Sequence, residues 1–449
     1  MKQSTNFTEG KILLPLIKFS IPILLAVFLQ AMYGAVDLLV VGQFGDASSV
    51  SAVSTGSQIM QTITGIISGL TMGTTVLLGQ KIGGKDSKGA ANTVGSSIVM
   101  FGIIAAILSV VMMLLAKPFT ALMHAPEAAF DKTVEYVFIC SIGVFFIVAY
   151  NVISGIFRGM GNSNLPLLFV GIACVTNIAG DLILVGGFHL DAVGAALATV
   201  FAQAVSVVLS IIIIKKRGMG FPFTRKNIRF NKPEIKNILR LGSPIALQDA
   251  LTNISFLIIT AIINSIGLIE SAAIGVSEKI VIFIMLVPIS FMSSVSAFTA
   301  QNIGAKKPER ARKAMYYAMA TALFFGVLMF ALSFFNGDLL AGIFSKDTAV
   351  IAACAEYMKA YAFDCVLVCI VFCYMGYFNG SGKTMFVMLQ GVFAAFLVRI
   401  PFSYFVSKIE SATMLDIGFA SPVATVFCVI LCFIYYQYVV KKQKTASQE

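Results

Sequence analysis

Tryptophan is absent from this 449-residue sequence, histidine occurs only twice, and charged residues make up only 12% of the chain. Soluble globular domains carry about a quarter charged residues, so the low charged fraction excludes that class. Neither histidine lies in an apolar run, which argues against a histidine metal centre or a histidine-dependent active site inside those runs. Hydrophobic residues make up 58% of the chain, and this composition indicates an integral membrane protein.

Twelve apolar runs are long enough to cross a bilayer, which takes about 20 helical residues. We therefore predict an all-α integral membrane protein with twelve transmembrane helices. We expect the helices near 14–42, 50–79, 92–116, 133–157, 164–187, 192–214, 240–266, 271–300, 314–335, 355–379, 384–407 and 417–440. The first run is too long for the apolar region of a signal peptide and has no small-residue cleavage site after it, so we expect it to be retained.

The net charge of +11 is explained by where the basic residues fall. Most lysines and arginines lie in the termini and in the even-numbered loops between the predicted helices. Basic residues accumulate on the cytoplasmic side of membrane proteins, so we expect both termini to be cytoplasmic and the protein to lie in the plasma membrane. The lipid bilayer is thus the partner that this charge indicates, and nucleic acid is not.

The chain contains an internal repeat. The segment QKIGGK at Gln80 returns as QNIGAK at Gln301, and GIFRGMG at Gly155 returns as GYFNGSG at Gly376, both 221 residues later. The clustered glycines predict a tight turn after a helix. Each half contains six spans, an even number, so the second half enters the membrane from the same face. We predict two parallel six-helix bundles related by a pseudo-twofold axis along the membrane normal.

These repeats divide the chain into lobes. We place an N-terminal lobe at 1–214 and a C-terminal lobe at 240–449, joined by a cytoplasmic linker at 215–239 that is rich in lysine and arginine. Because one chain supplies both lobes, we expect a monomer.

Four polar side chains lie at a common depth in the first half. They are Asp37 in the first span, Asn177 and Asp181 in the fifth, and Thr199 in the sixth. Asn177 and Asp181 are four residues apart and share a helix face. Counted from the outer loops at 1.5 Å per residue, Asp37, Asp181 and Thr199 lie roughly 12 to 14 Å below the outer surface. A carboxylate inside a membrane span costs about 3 kcal/mol, so we favour a functional site over a packing role.

The repeat sharpens this interpretation because the second half has apolar residues at the corresponding positions, namely Ile259, Val398, Phe402 and Ala420. Two carboxyl groups close together repel each other, so one takes a proton or both hold a cation. Oxygen ligands from aspartate, asparagine and threonine suit a hard cation such as sodium. We expect a proton or sodium site at Asp37, Asn177, Asp181 and Thr199, and no cofactor beyond that ion.

The second half carries its own buried polar residues, and we predict a candidate substrate cavity there at Gln248, Asp249, Asp364 and Arg399. The two acids are candidates for contacting a cationic substrate. The alternative is a structural ion pair between an acid and Arg399.

Several motifs of the chain resemble those of a known family. It is similar over essentially its whole length to the multidrug and toxic compound extrusion (MATE) transporters, through Asp37-x-x-x-Val41-Gly42, Gln80-x-Ile82-Gly83, Arg158-Gly159-x-Gly161-Asn162, Asn177-x-x-x-Asp181 and Gly194-Ala195-Ala196-x-Ala198-Thr199. The acid of the first helix with the asparagine and acid of the fifth resembles the branch of the DNA-damage-inducible transporter and the staphylococcal multidrug exporters. Members export organic cations against an inward flow of protons or sodium. The resemblance implies that the four first-half residues bind the coupling ion and that Asn151 lines their site.

The expected function is therefore antiport of organic cations by alternating access. A related flippase for lipid-linked oligosaccharide is one alternative, but its cavity would need several basic residues, and Arg399 alone is a poor supply. A membrane enzyme is the other alternative. It would need converging catalytic groups, and the predicted spans contain no histidine or metal-ligand motif.

Overall fold

The computed structural model describes residues 7–409 and 411–445, with no side-chain description at 443 and 444. Within these ranges the regular structure is helical and contains no strand. Twelve helices are long and apolar enough to cross a membrane, which confirms the predicted fold class. They are α1 Leu13–Phe44, α2 Ala47–Gly83, α3 Ser87–Leu122, α4 Glu127–Gly159, α5 Asn164–Gly187, α6 Asp191–Arg217, α7 Lys232–Asn264, α8 Leu268–Gly304, α9 Pro308–Phe335, α10 Thr348–Gly380, α11 Thr384–Val406 and α12 Met414–Lys442.

Most helices extend beyond the apolar runs from which they were predicted. Helix α2, expected over 50–79, begins earlier because Asp46 caps it, with Asp46 Oδ1 accepting from the backbone N–H of Ser49 at 2.7 Å. Asp86 caps α3 in the same way and accepts from the N–H of Gly89 at 2.8 Å. Such caps satisfy backbone donors at a helix start, so polar residues outside the hydrocarbon add turns that an apolar window does not detect.

The described chain forms two compact units. Unit 1 comprises 17–246 with the short segments 7–10 and 300–307, and unit 2 comprises the remaining described residues. The lobe boundaries expected from the sequence stay a prediction. In unit 1, α4 packs against α2, α3 and α6, and α5 packs against α6. Helix α4 is thus the centre of this unit, and its inward side chains belong to the unit's hydrophobic core.

The repeated glycine motif brings helices into close contact. A side-chain carbon added at Gly155 of α4 would overlap the methyl group of Thr71 on α2. The hydroxyl group of Thr75, one turn further along α2, donates to the carbonyl oxygen of Gly155 at 2.9 Å. In unit 2 an added carbon at Gly376 would lie only 2.6 Å from the carbonyl oxygen of Met292. The two contacts are equivalent under the 221-residue offset, so both units use the same small-residue packing.

The expected tight turn is made only by the last glycine of each motif. Gly161 and Gly382 have φ angles of 77° and 76°, in the left-handed region that favours glycine. The first glycine of each motif instead lies inside its helix. Lys85 and Lys306, also 221 residues apart, adopt matching left-handed angles of 57° and 58°. The repeat is therefore reproduced in the backbone as well as in the sequence.

In unit 2, α10 packs against α9 and α12. A short helix, Gly337–Gly342, lies between α9 and α10 in the sequence. Helix α11 is interrupted by a π-helical turn at Ala394–Arg399. Helix α5 of unit 1 ends in a π-helical turn as well, at Leu182–Gly187. Turns of this kind occur often at functional sites in other proteins.

Candidate functional site

Three of the four predicted first-half residues form a chain of polar contacts. The hydroxyl group of Thr199 on α6 donates to Asp37 Oδ2 on α1 at 3.5 Å. The same oxygen atom of Thr199 accepts from Nδ2 of Asn177 on α5, also at 3.5 Å. All three residues are buried, with at most 7% of their surface exposed. Helices α1, α5 and α6 thus converge on one point inside unit 1.

Asp181, the fourth residue, lies beside the carboxyl group of Asp37. It is fully buried, and neither of its carboxyl oxygens has a hydrogen-bond partner among the described residues. Oδ1 of Asp37 and Oδ1 of Asn177 are equally without a partner in that part of the chain. Buried acceptors without donors are costly, so this neighbourhood is suited to receive positive charge.

The local structure of α5 presents this acid. Asp181 is the last residue of the regular α-helical part of α5, and the π-helical turn at Leu182–Gly187 follows immediately. Asn177 lies one turn earlier on the same face, as the spacing predicted. The turn shifts the hydrogen-bond pattern from i→i−4 to i→i−5, as in the bond from the N–H of Phe188 to the carbonyl oxygen of Ile183 at 2.9 Å.

Four further side chains, which were not predicted from the sequence, lie around the cluster. Tyr33 on α1 lies next to Thr199 and Gln203, which are both on α6. Tyr136 and Cys140, on α4, lie near the carboxyl group of Asp37. Helical spacing was an available signal, because Tyr33 precedes Asp37 by four residues and Gln203 follows Thr199 by four.

Asn151 is placed apart from this cluster. Its Nδ2 donates to the carbonyl oxygen of Ile147 in its own helix at 2.8 Å. Its side chain lies on the wall of a cavity that Gln30 and Arg158 also line. The residues of α4 that approach Asp37 lie at least eleven positions earlier, ending at Cys140, which is about 16 Å along a helix. The structure therefore does not bring Asn151 to the other four predicted residues.

One oxygen–oxygen distance in the cluster fits a small cation. Oxygens that share a hard cation at about 2.4 Å stand about 3.4 Å apart when they are at right angles. Thr199 Oγ1 and Asp37 Oδ2 are 3.5 Å apart. That distance is long for a hydroxyl–carboxylate hydrogen bond. Chemically, the cluster can take up a proton on one carboxyl group or hold a hard cation among its oxygens.

Two of the second-half candidates lie near each other in unit 2. Asp364 on α10 is buried and has Thr425 and Arg399 as polar neighbours. The guanidinium group of Arg399 on α11 lies over the ring of Phe256, 4.7 Å from its centroid. Gln248, on α7, is buried next to Gly391 of α11.

Asp249, the remaining second-half candidate, is half-buried on α7 next to Gln248 in the sequence. Its helical position places it about 100° around α7 from that glutamine, so the two side chains point in different directions.

The MatE family model matches two segments of this chain, residues 22–183 and 244–405. Together these segments cover more than half of the sequence. The chain belongs to the MatE family. The resemblance stated from the motifs is thereby confirmed. The two MatE segments begin 222 residues apart, in agreement with the repeat read from the sequence.

Relatives and solved structures agree with this assignment. A probable multidrug resistance protein of Bacillus subtilis (strain 168), YpnP, is 25% identical over 434 residues, with 96% of both chains covered. The multidrug export protein MepA of Staphylococcus saprophyticus is 24% identical, with 87% of each chain covered. A crystal structure of MATE in the bent conformation matches with a TM-score of 0.93 at 20% identity, over 100% of both chains. This last match shows the MatE fold.

Proposed function

We propose that this multi-pass membrane protein is an antiporter that exports small organic cations across the plasma membrane, driven by an inward flow of protons or sodium. The observation that carries the proposal is the buried group of Asp37, Asn177, Asp181 and Thr199, several of whose acceptor oxygens have no partner in the described part of the chain. The names of the relatives, a multidrug resistance protein and a multidrug export protein, support export of drugs.

The ion supplies the driving force through this group. A positive charge that reaches Asp37 and Asp181 relieves the repulsion between the two carboxyl groups. One charge moving down 100 mV releases about 2.3 kcal/mol, which corresponds to roughly a fiftyfold gradient of a neutral solute. The ion can drive export only if its binding shifts a conformational equilibrium of the protein. Helix α1 carries Asp37 and is the element whose position depends most directly on the ion.

The test is efflux of ethidium from cells and from vesicles in which a pH gradient and a sodium gradient are imposed separately. We expect one of the two gradients to drive efflux by the wild type. Asp37→Asn should be expressed normally but should show no gradient-driven efflux. The reason is that an amide neither takes up a proton nor balances the charge of a sodium ion. Asp131→Asn, at an exposed acid of α4, is the matched control and should transport normally.

Two outcomes would refute the proposal. Efflux by Asp37→Asn at the wild-type rate under the driving gradient would remove this group from the coupling mechanism. Wild-type vesicles that move no dye under either gradient would contradict the export function itself and would favour the flippase alternative.

We also propose that both termini and the linker at 215–239 face the cytoplasm, because of their basic residues. The eight cysteines are buried and free, so cysteines introduced at exposed sites can be labelled selectively. A membrane-impermeant maleimide should label Asp131→Cys in intact cells and label Lys226→Cys only after the membrane is opened. The reverse pattern would overturn the orientation.

A further inference from the structure

The charged centre of unit 2 is a cation with unused donors. Arg399 is the last residue of the π-helical turn in α11. Its Nε and Nη1 atoms are buried and have no hydrogen-bond partner among the described residues. A guanidinium group has five N–H donors, and a buried donor without an acceptor costs free energy. The ring of Phe256 covers one face of the group but accepts no conventional hydrogen bond.

Asp364, the neighbouring acid, does not form an ion pair with Arg399 among the described residues. Asp364 is only 3% exposed, and its Oδ1 has no partner within the described part of the chain. No salt bridge within 4.0 Å joins it to Arg399 among the ion pairs of the described residues. A structural ion pair, the alternative left open by the sequence, would be expected to close, because a lone buried charge is strongly unfavourable.

The two units therefore differ in the sign of the charge beside their π-helical turns. Asp181 immediately precedes the turn of α5, and Arg399 ends the turn of α11. The first group offers unpartnered acceptors and suits a cation. The second offers donors without partners among the described residues, with the ring of Phe256 under the guanidinium group and the stacked pair Tyr357 and Tyr361 nearby. Donors of this kind suit a carboxylate on an aromatic molecule.

We propose that Arg399 binds the carboxylate of an aromatic solute carried by this protein. The solute's ring packs against Phe256, and Asp364 faces any positively charged group of the same solute. This inference rests on the proposed export function and adds aromatic compounds that bear a carboxylate to its substrate class of small organic cations.

A pair of dyes isolates the carboxylate. Rhodamine B carries one, and rhodamine B ethyl ester is the same molecule with that group esterified. Binding to the purified full-length protein is measured by fluorescence anisotropy. We expect Arg399→Gln to weaken rhodamine B binding by about tenfold or more, because a charge-assisted hydrogen bond is lost, and to leave binding of the ester nearly unchanged. Lys408→Gln removes an exposed cation that lies over the ring of Tyr404, and should leave the affinity for both dyes unaltered.

The outcomes separate this inference from the export function. Three results would overturn the role of Arg399. They are an equal loss of affinity for both dyes in Arg399→Gln, an unchanged affinity for both dyes in that variant, and no saturable binding of rhodamine B to the wild type. Arg399→Lys keeps the charge and provides a second variant, which should retain more rhodamine B affinity than Arg399→Gln. If the ester is exported under the driving gradient but Arg399→Gln affects the binding of both dyes equally, the export function would be supported and the role of Arg399 would not. If Arg399→Gln weakens binding of rhodamine B but not of the ester, and neither dye is exported, the carboxylate site would be supported and the export function contradicted.

Discussion

The hydroxyl group of Thr199 donates to Asp37 Oδ2 across 3.5 Å, although the two residues are 162 positions apart in the sequence. Thr199 also accepts from Asn177, so its single hydroxyl group joins three helices of unit 1. This hydroxyl group is therefore the point at which polar side chains of α1, α5 and α6 meet.

Replacing Thr199 with valine should weaken the apparent affinity for the coupling ion by about tenfold, because one oxygen ligand and one hydrogen bond to a charged group are lost. Valine has nearly the same shape, so the packing of α6 should be kept. The measurement is the ion concentration that gives half-maximal ethidium efflux. Thr199→Ser retains the hydroxyl group and should stay within a few-fold of the wild type. An unaltered ion dependence in the valine variant would show that the hydroxyl group is not a ligand.

Asp181→Asn should stabilise the protein in the absence of the ion, because it removes one of two adjacent buried carboxyl groups. Functional sites commonly carry such a cost in stability. Thermal unfolding in detergent should show a higher midpoint for the variant than for the wild type. The wild type should gain stability when sodium is added or the pH is lowered, according to which ion it binds, and the variant should not. A gain of equal size in both proteins would argue against an ion site at Asp181.

Gly155→Ala should destabilise unit 1 by about 1 to 3 kcal/mol, which is typical of overpacking. The added carbon would meet Thr71 of α2, whose helix cannot move away easily from the central helix α4. Gly171→Ala in α5 is the control, because no neighbouring atom lies within 4 Å of the added carbon. Alanine is a better helix former than glycine by about 1 kcal/mol, so the control should match or exceed the wild-type unfolding temperature. The two variants having the same effect would contradict the proposed close packing.

The carboxylate of Asp46 should make the stability of the fold fall as the pH is lowered into the acid range. Hydrogen bonds from Ser49 and Ser48, and then the ammonium group of Lys132 at 3.0 Å, hold the pKa of Asp46 below its usual range. A lowered pKa stabilises the fold above the ordinary aspartate pKa of about 4, and the contribution is lost as the pH falls toward the lowered value. The unfolding temperature of the wild type should exceed that of Asp46→Ala by a constant margin down to about pH 4, and this margin should narrow below it.

The comparison is made by thermal unfolding over a pH series. Asp46→Asn keeps an acceptor for the helix cap without the charge. At neutral pH its unfolding temperature should therefore lie between those of Asp46→Ala and the wild type, and its difference from Asp46→Ala should not narrow in acid. A margin that is independent of pH in the alanine variant would mean that the ionised carboxylate adds nothing to the cap.

The sequence by itself determined the number of helices and the repeat, and it predicted a common depth for the acids. Apolar runs of bilayer length have only one stable form in lipid, since every backbone polar group must be satisfied within the segment. The helical rise then sets the depth of each side chain, which is why residue counting alone places Asp37, Asp181 and Thr199 at one level. The matching backbone at Gly161 and Gly382 likewise follows from local sequence.

Only the tertiary structure decided which side chains meet. Rise and periodicity do not say how each helix is rotated toward its neighbours, and packing settles that rotation. For this reason the contact of Tyr33 on α1 with Thr199 and Gln203 on α6 is visible only in the folded chain, while Asn151 lies away from the acids. The position of the Arg399 guanidinium group over Phe256, with Nε and Nη1 lacking hydrogen-bond partners among the described residues, is also a tertiary property, because it depends on contacts between helices that are distant in the sequence.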